Sequence, residues 1–217
     1  MIFDTIIGGA GLSGTYLSRE LRNEGLKTII VEKSNGVGGR LSTKPLGSNI
    51  VDYGCQYINP KNDETKSLAI DLEILGLLKK KIISKSKEVY IAPFGLKTVP
   101  QYLAYGSKVL INETVCGISF NTRNWKVRTH SLEIEAKLIV FSMPVQQVRE
   151  ILERCDIKNL DLPDAKYSSF YTCTFSSSDH CIEKTIFPHY TSDSALIARS
   201  NQAVVPSYPQ KHIRYSD

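Results

Sequence analysis

The chain has 217 residues, room for one large domain or a domain and a half around a sizeable core. Hydrophobic residues make up 41%, charged residues 23%, and the net charge is +5, which excludes a disordered chain, a collagen-like fibre and a coiled coil. The longest apolar runs, such as Leu138 to Phe141, are far too short to cross a bilayer. No charged segment followed by an apolar stretch opens the chain, so a cytoplasmic protein without a membrane partner is expected. The five cysteines (Cys55, Cys116, Cys155, Cys173, Cys181) are scattered and form no CxxC pair, and read as reduced thiols.

The first elements form one unit. Ile2 to Ile7 is a short apolar run that stops at Gly8-Gly9, as a buried strand stops at a turn. Gly9-Ala10-Gly11-Leu12-Ser13-Gly14 is a GxGxxG pattern. Leu17 and Leu21 then recur at helical spacing, Gly25 stands where a helix takes a left-handed cap, and Thr28 to Val31 is a second apolar run ending at Glu32. Strand, glycine turn, helix and strand within about thirty residues is the setting a dinucleotide-binding turn requires. Gly9 permits the tight turn, Gly11 lets a diphosphate approach the backbone, and Gly14 allows close packing of the helix. The helix start offers free N–H groups and a positive dipole end. Glu32 lies 23 residues after Gly9, where a carboxylate accepts from ribose hydroxyls and repels a 2′-phosphate.

Lys33-Ser34-Asn35-Gly36-Val37-Gly38-Gly39-Arg40 is too rich in glycine for helix or strand. Its adjacent glycines let backbone pass close to a ligand, and Arg40 adds a fixed cation with several donors. Asp63 is a candidate cap for a helix to about Leu78, with Leu68, Leu72, Leu75 and Leu78 at core spacing. The basic run Lys79 to Lys81, with Lys85 and Lys87, has no interleaved aromatic residue. It reads as a solvated helix end, so nucleic acid is not expected as a partner. Val89 to Phe94 reads as a strand, and Val109 to Phe120 with Trp125 to Thr129 as a hairpin turning near Asn121 to Asn124. Ala136 to Phe141 reads as a buried strand, Pro144 opens a helix to about Leu152, and Tyr167 to Phe175 alternates like a strand. The four histidines show no ligand spacing, so no metal is expected, and no GxSxG elbow is present. Cys55 reads first as a small buried residue and only second as a reactive thiol.

Glu32-Lys33 followed by Gly36-x-Gly38-Gly39-Arg40 resembles the second FAD-binding motif of glutathione-reductase-type flavoproteins, in the branch of amine oxidases, phytoene desaturases and renalase. Leu41-Ser42-Thr43 is similar to the continuation of that motif. Val51-Asp52-Tyr53-Gly54-Cys55-Gln56-Tyr57-Ile58 resembles a segment that lies near the isoalloxazine ring in the family, with Cys55 in place of alanine. Phe94 to Leu103 is similar to a helix start, and Asn112 to Val115 to the strand whose valine meets the adenine. Leu138 to Pro144 with Gln146 and Gln147, and Ala198 to Asn201, resemble further family segments. The resemblance implies an α/β fold: a Rossmann-like FAD-binding domain of glutathione-reductase type with an inserted mixed-sheet substrate domain.

It further implies FAD held by Gly9, Gly11, Leu12, Ser13, Gly14, Glu32, Lys33, Gly39, Arg40 and Val115, with Gln56 and Tyr57 beside the ring. Catalytic residues are not identified. The expected division is 1–60 and 106–150 for the FAD-binding domain, 61–105 for a partly helical substrate-domain segment, and 151–217 for a substrate-domain sheet. The expected function is hydride transfer to flavin N5 from a small molecule, an amine or a dihydronicotinamide. No glycine after position 106 precedes an aspartate, so the family's late Gly-Asp motif has no match. The chain is therefore expected to be truncated and to bind FAD more weakly. A non-catalytic remnant is one alternative, and an NAD-binding Rossmann enzyme using only the first motif is the other.

Overall fold

The structure is a computed structural model, and it describes residues 1–47, 49–84, 87–157 and 161–167. The expected strand from Tyr167 to Phe175, the segment from Ala198 to Asn201, and His180, His189 and His212 lie outside the described residues apart from Tyr167. The chain divides into two compact units, one of residues 1–39 and 100–166, the other built on residues 40–99.

The first unit is built on β1 (Ile2–Gly8), α1 (Leu12–Asn23) and β2 (Thr28–Val31). Its sheet continues with β7 (Lys108–Leu110), β8 (Gly117–Phe120), β9 (Trp125–Arg128) and β10 (Glu133–Phe141), followed by α4 (Val145–Arg154). Strand order is β7-β2-β1-β10-β9-β8. The first four strands run parallel, and β9 and β8 add antiparallel to the edge at β10. In β2 the run Ile29 to Val31 is apolar and wholly buried because both faces of the strand are covered. Ile7 and Ile30 pack with Leu17 and Leu21 of α1. Ile6, Ile29 and Val31 pack with Val148, Ile151 and Leu152 of α4. Ile6, Ile7 and Ile30 are fully buried, each contributing about 1.5–3 kcal/mol of apolar transfer. α1 buries two polar residues, Thr15 and Ser18, and the Ser18 hydroxyl bonds Thr28 and Ser107 at 2.9 Å each. The helix ends as its glycine predicts: Gly25 has φ +77° and donates to Arg22 O.

The second unit contains β3 (Thr43–Leu46) paired antiparallel with β4 (Asn49–Asp52), α2 (Asp63–Ile74), and β5 (Lys79–Ser84) paired antiparallel with β6 (Lys87–Ile91). A short 3-10 turn covers Gly39–Leu41, and α3 (Thr98–Ala104) spans the boundary between the units in the chain. α2 begins at Asp63, the residue expected to cap it, and the cap is the residue before, Asn62. Asn62 accepts from Thr65 N at 3.0 Å, and the Thr65 hydroxyl takes the Asn62 amide in return, a reciprocal cap. The helix stops at Ile74 rather than Leu78, with left-handed Gly76 (φ +74°) just beyond. Leu75 is exposed while Leu78 is buried. The lysines at 79–81 therefore form strand, not helix end, and Lys80 meets Glu88 across the ribbon at 2.6 Å. β6 ends at Ile91, before Phe94. The run expected from Val109 to Phe120 is two strands, broken where Asn112 takes φ +56°. Among the described residues no helix is long and apolar enough to cross a membrane.

Candidate functional site

The first glycine turn joins β1 to α1. Gly9 has φ +105°, a backbone region that side chains rarely adopt, and a Cβ there would meet Ser142 Oγ at 2.9 Å. Gly11 occupies the cap position of α1 in extended backbone (φ −76°, ψ −175°) and offers no side chain to the first-turn amides of Leu12, Ser13 and Gly14. No acidic residue stands in that turn, so no carboxylate of the helix itself offsets its positive end. A Cβ on Gly11 would meet only Gly39 Cα, at 4.0 Å. A Cβ on Gly14 would lie 2.1 Å from Gly9 O and 2.6 Å from Ser142 Oγ. Gly14 thus lets α1 close onto the turn and onto the residue after β10. Ser142 is fixed there by donating to Gly8 O and Gly9 O, both at 3.0 Å.

Glu32, at the carboxyl end of β2, turns its side chain into this turn. Oε2 accepts from Ala10 N at 2.7 Å, and Oε1 accepts from Ser34 N at 2.8 Å. A carboxylate has about four acceptor positions, so two amides leave capacity for further donors. The glycine loop that follows folds onto the same turn. Gly38 N donates to Ala10 O at 2.9 Å, and Gly39, with φ +54°, would bring a Cβ within 3.1 Å of Gly11 Cα. The two glycine motifs are thereby one structure.

The segment after β7 passes over the end of β2. Asn112 N donates to Ser34 O and Glu113 N to Glu32 O, each at 2.9 Å. Beneath it lies a cavity of about 260 Å³, lined by Gly9, Glu32, Lys33, Glu113 and Val115 and by one face of α4 that includes Gln147 and Arg154. Hydrogen bonds from the Ser131 hydroxyl first, and from Thr129 next, hold the Glu113 carboxyl below the usual carboxylate range. Glu113 and, apart from Gln147, the α4 face were not singled out from the sequence. The α4 face was signalled by Gln147, Glu150, Ile151 and Arg154, spaced as one side of a helix.

Three expected site residues belong to the second unit. Arg40 is exposed, and its carbonyl accepts from Cys55 N at 2.8 Å. A Cβ on Gly54 would overlap that carbonyl at 2.2 Å. Gln56 and Tyr57 are half-buried, and Gln56 Nε2 donates to Asp52 O at 2.5 Å. Asp52 Oδ1 itself accepts from Thr43 Oγ1 at 2.5 Å and Leu96 N at 2.9 Å. Cys55 is exposed, against the buried place expected for a residue standing in for alanine.

Residues 7–72 match the NAD(P)-binding Rossmann-like domain family. The putrescine oxidase of Kocuria rosea is 32% identical over 94 residues, 43% of this chain and 19% of that one. A flavin-containing amine oxidase of Oncorhynchus mykiss is 34% identical over 68 residues, 31% of this chain and 13% of that one. Each match therefore spans about a fifth or less of the relative's length. The solved structure of putrescine oxidase bound to putrescine superposes with a TM-score of 0.57 at 14% identity, over 71% of this chain and 60% of that one. Glycine turn, terminal acid and parallel sheet agree with the NAD(P)-binding Rossmann-like domain matched over residues 7–72, and over short stretches the chain is similar to flavin-containing amine oxidases.

Proposed function

We propose that the protein is a FAD-dependent oxidoreductase that takes a hydride from a small amine, in the manner of the amine oxidases and renalase. The observation that carries the reading is the carboxylate of Glu32, buried against Ala10 N, with the surface of Gly11 open beside it. A dinucleotide fits that arrangement. Gly11 leaves room for a diphosphate, the uncapped start of α1 favours its charge, and Glu32 retains acceptors for ribose hydroxyls. The cavity beyond Glu32, about 260 Å³, suits an adenosine end, with Val115 on its wall. In this reading Lys33 borders the same end, Leu12 and Ser13 present amides to the phosphates, and Gly39 lets the second loop pass close to the chain of the cofactor.

FAD, when bound, supplies the ring that accepts the hydride. Arg40, Gln56 and Tyr57 are assigned to the ring end by resemblance, in a glutathione-reductase-type arrangement with residues of the second unit forming part of a substrate domain. Exposed Arg40 is suited to balance negative charge on a phosphate or a reduced ring.

The test is a titration of the purified chain with FAD, read by flavin fluorescence and absorption, against Glu32→Ala. Loss of a charged acceptor weakens binding by roughly 1.5–3 kcal/mol, about ten- to a hundredfold. Equal affinity in both proteins, or no FAD binding by the native chain, would overturn the reading.

A further inference from the structure

Among the described residues that line the cavity beside Glu32, Gln147 alone carries a neutral amide. Most of the charged groups around it already have partners. Glu32 takes two backbone amides, Glu113 takes the Ser131 hydroxyl, and Glu150 pairs with Arg154 at 3.4 Å. Gln147 is half-buried in the first turn of α4, where its backbone is fixed by Gln147 N donating to Pro144 O at 3.0 Å. Its side-chain amide makes no hydrogen bond with the described residues, whereas that of its neighbour Gln146 donates to Ala165 O. Apolar side chains of Val31, Val115, Met143 and Ile151 share the cavity wall with it.

We propose that Gln147 selects adenine as the base of the bound nucleotide. This rests on the reading above that a nucleotide occupies the cavity. A purine has two apolar faces and a polar edge. The apolar wall suits the faces, and the edge then requires a partner. Adenine presents an exocyclic amine, which donates, beside a ring nitrogen, which accepts. A carboxylate serves only the amine, and a lysine or arginine serves only the ring nitrogen. An amide serves both at once, its oxygen accepting from the amine and its nitrogen donating to the ring. A purine without the amine leaves the amide oxygen unmet in a half-buried place, and that loss appears as weaker binding.

The full chain is titrated with ADP and with purine riboside 5′-diphosphate, the same molecule without its exocyclic amine, and binding is read by calorimetry. The native protein is expected to bind ADP at least about fivefold more tightly of the two. Gln147→Leu, which keeps side-chain bulk and removes the amide, is expected to bind both within about twofold of each other. Gln147→Glu keeps the acceptor and loses the donor, so it is expected to retain the preference while binding both ligands more weakly. Equal affinities in the native protein, a full preference in Gln147→Leu, or a lost preference in Gln147→Glu would overturn the proposal. FAD titration of the native chain separates this from the reading beneath it. FAD binding without a preference between the two diphosphates defeats the role of Gln147 alone. The predicted preferences in a chain that does not bind FAD would uphold Gln147 and defeat the flavin reading, and a chain that binds neither FAD nor ADP would defeat both.

Discussion

Gly11 and Gly14 are three residues apart in one motif, yet the physical demands on them differ. At Gly14 the missing Cβ prevents overlap with a backbone oxygen 2.1 Å away, and backbone cannot give way as a side chain can. At Gly11 the backbone is ordinary extended chain and a Cβ would have open space around it. Alanine gains about 1 kcal/mol over glycine inside a helix, but forcing a methyl into a filled position costs typically 1–3 kcal/mol, and more against backbone. The overlap wins at Gly14. Gly14→Ala is expected to lower Tm by several degrees, since 1 kcal/mol moves a chain of this size by about 2–4 °C. Gly11→Ala is expected to leave Tm within about 2 °C and to weaken FAD binding by more than roughly tenfold, because its methyl enters the space assigned to the diphosphate. Thermal melts and FAD titrations of the two variants check the split, and an unchanged affinity in Gly11→Ala would remove Gly11 from the phosphate site.

At the scale of elements, the ribbon of β3 and β4 illustrates how a marginal piece is secured. Two strands alone are barely stable in water. Here Thr43 and Asp52, partners in the register, are joined by a 2.5 Å hydrogen bond, and Leu96 N and Lys97 N close on the same two side chains. Desolvation nevertheless outweighs these hydrogen bonds and raises the Asp52 carboxyl above its ordinary value of 3.8. The folded chain then holds a proton there more tightly than the unfolded chain does, so the Asp52 contribution favours folding at low pH and declines as pH rises through the raised value. Asp52→Asn keeps the acceptor oxygen and removes the titration. Urea melts from about pH 4 upward are expected to show a less negative slope of stability with pH in the variant, and an identical slope would rule out Asp52 as a contributor. The same elements mark where the sequence could be read. β1, α1 and β2 were legible because apolar runs of fixed length stop at glycines. β5 was not, since Lys79 to Lys81 follow a helix and only the left-handed turn at Gly76 separates them from it. The seat of Glu32 was legible from spacing. Glu113 gained its place from an irregular crossing segment, for which no periodicity exists.

For the molecule as a whole, the strand order decides where a ligand has most leverage. β1 lies between β2 and β10, so chain connections leave it in opposite directions and a crevice opens at its carboxyl end. Gly9, Glu32 and Val115 meet the cavity there, and Leu110 O and Ser142 tie the ends of β7 and β10 to the same place. A nucleotide held as proposed would lie against the ends of β1 and β2, and its binding free energy would add to the stability of that unit. At a hundred times Kd the gain is about 2.7 kcal/mol, which corresponds to roughly 5–10 °C in Tm. FAD is expected to give that shift in the native chain and a smaller one, about 0.4–1.4 kcal/mol or roughly 1–6 °C, in Glu32→Ala at the same concentration. NAD and NADP separate the charge of Glu32 from its hydrogen bonding, because both share the diphosphate and the adenosine, and only NADP brings a 2′-phosphate toward a carboxylate. NAD is expected to shift Tm more than NADP does. In Glu32→Ala that preference is expected to vanish. An equal shift by both in the native chain would show that the acid does not face the ribose.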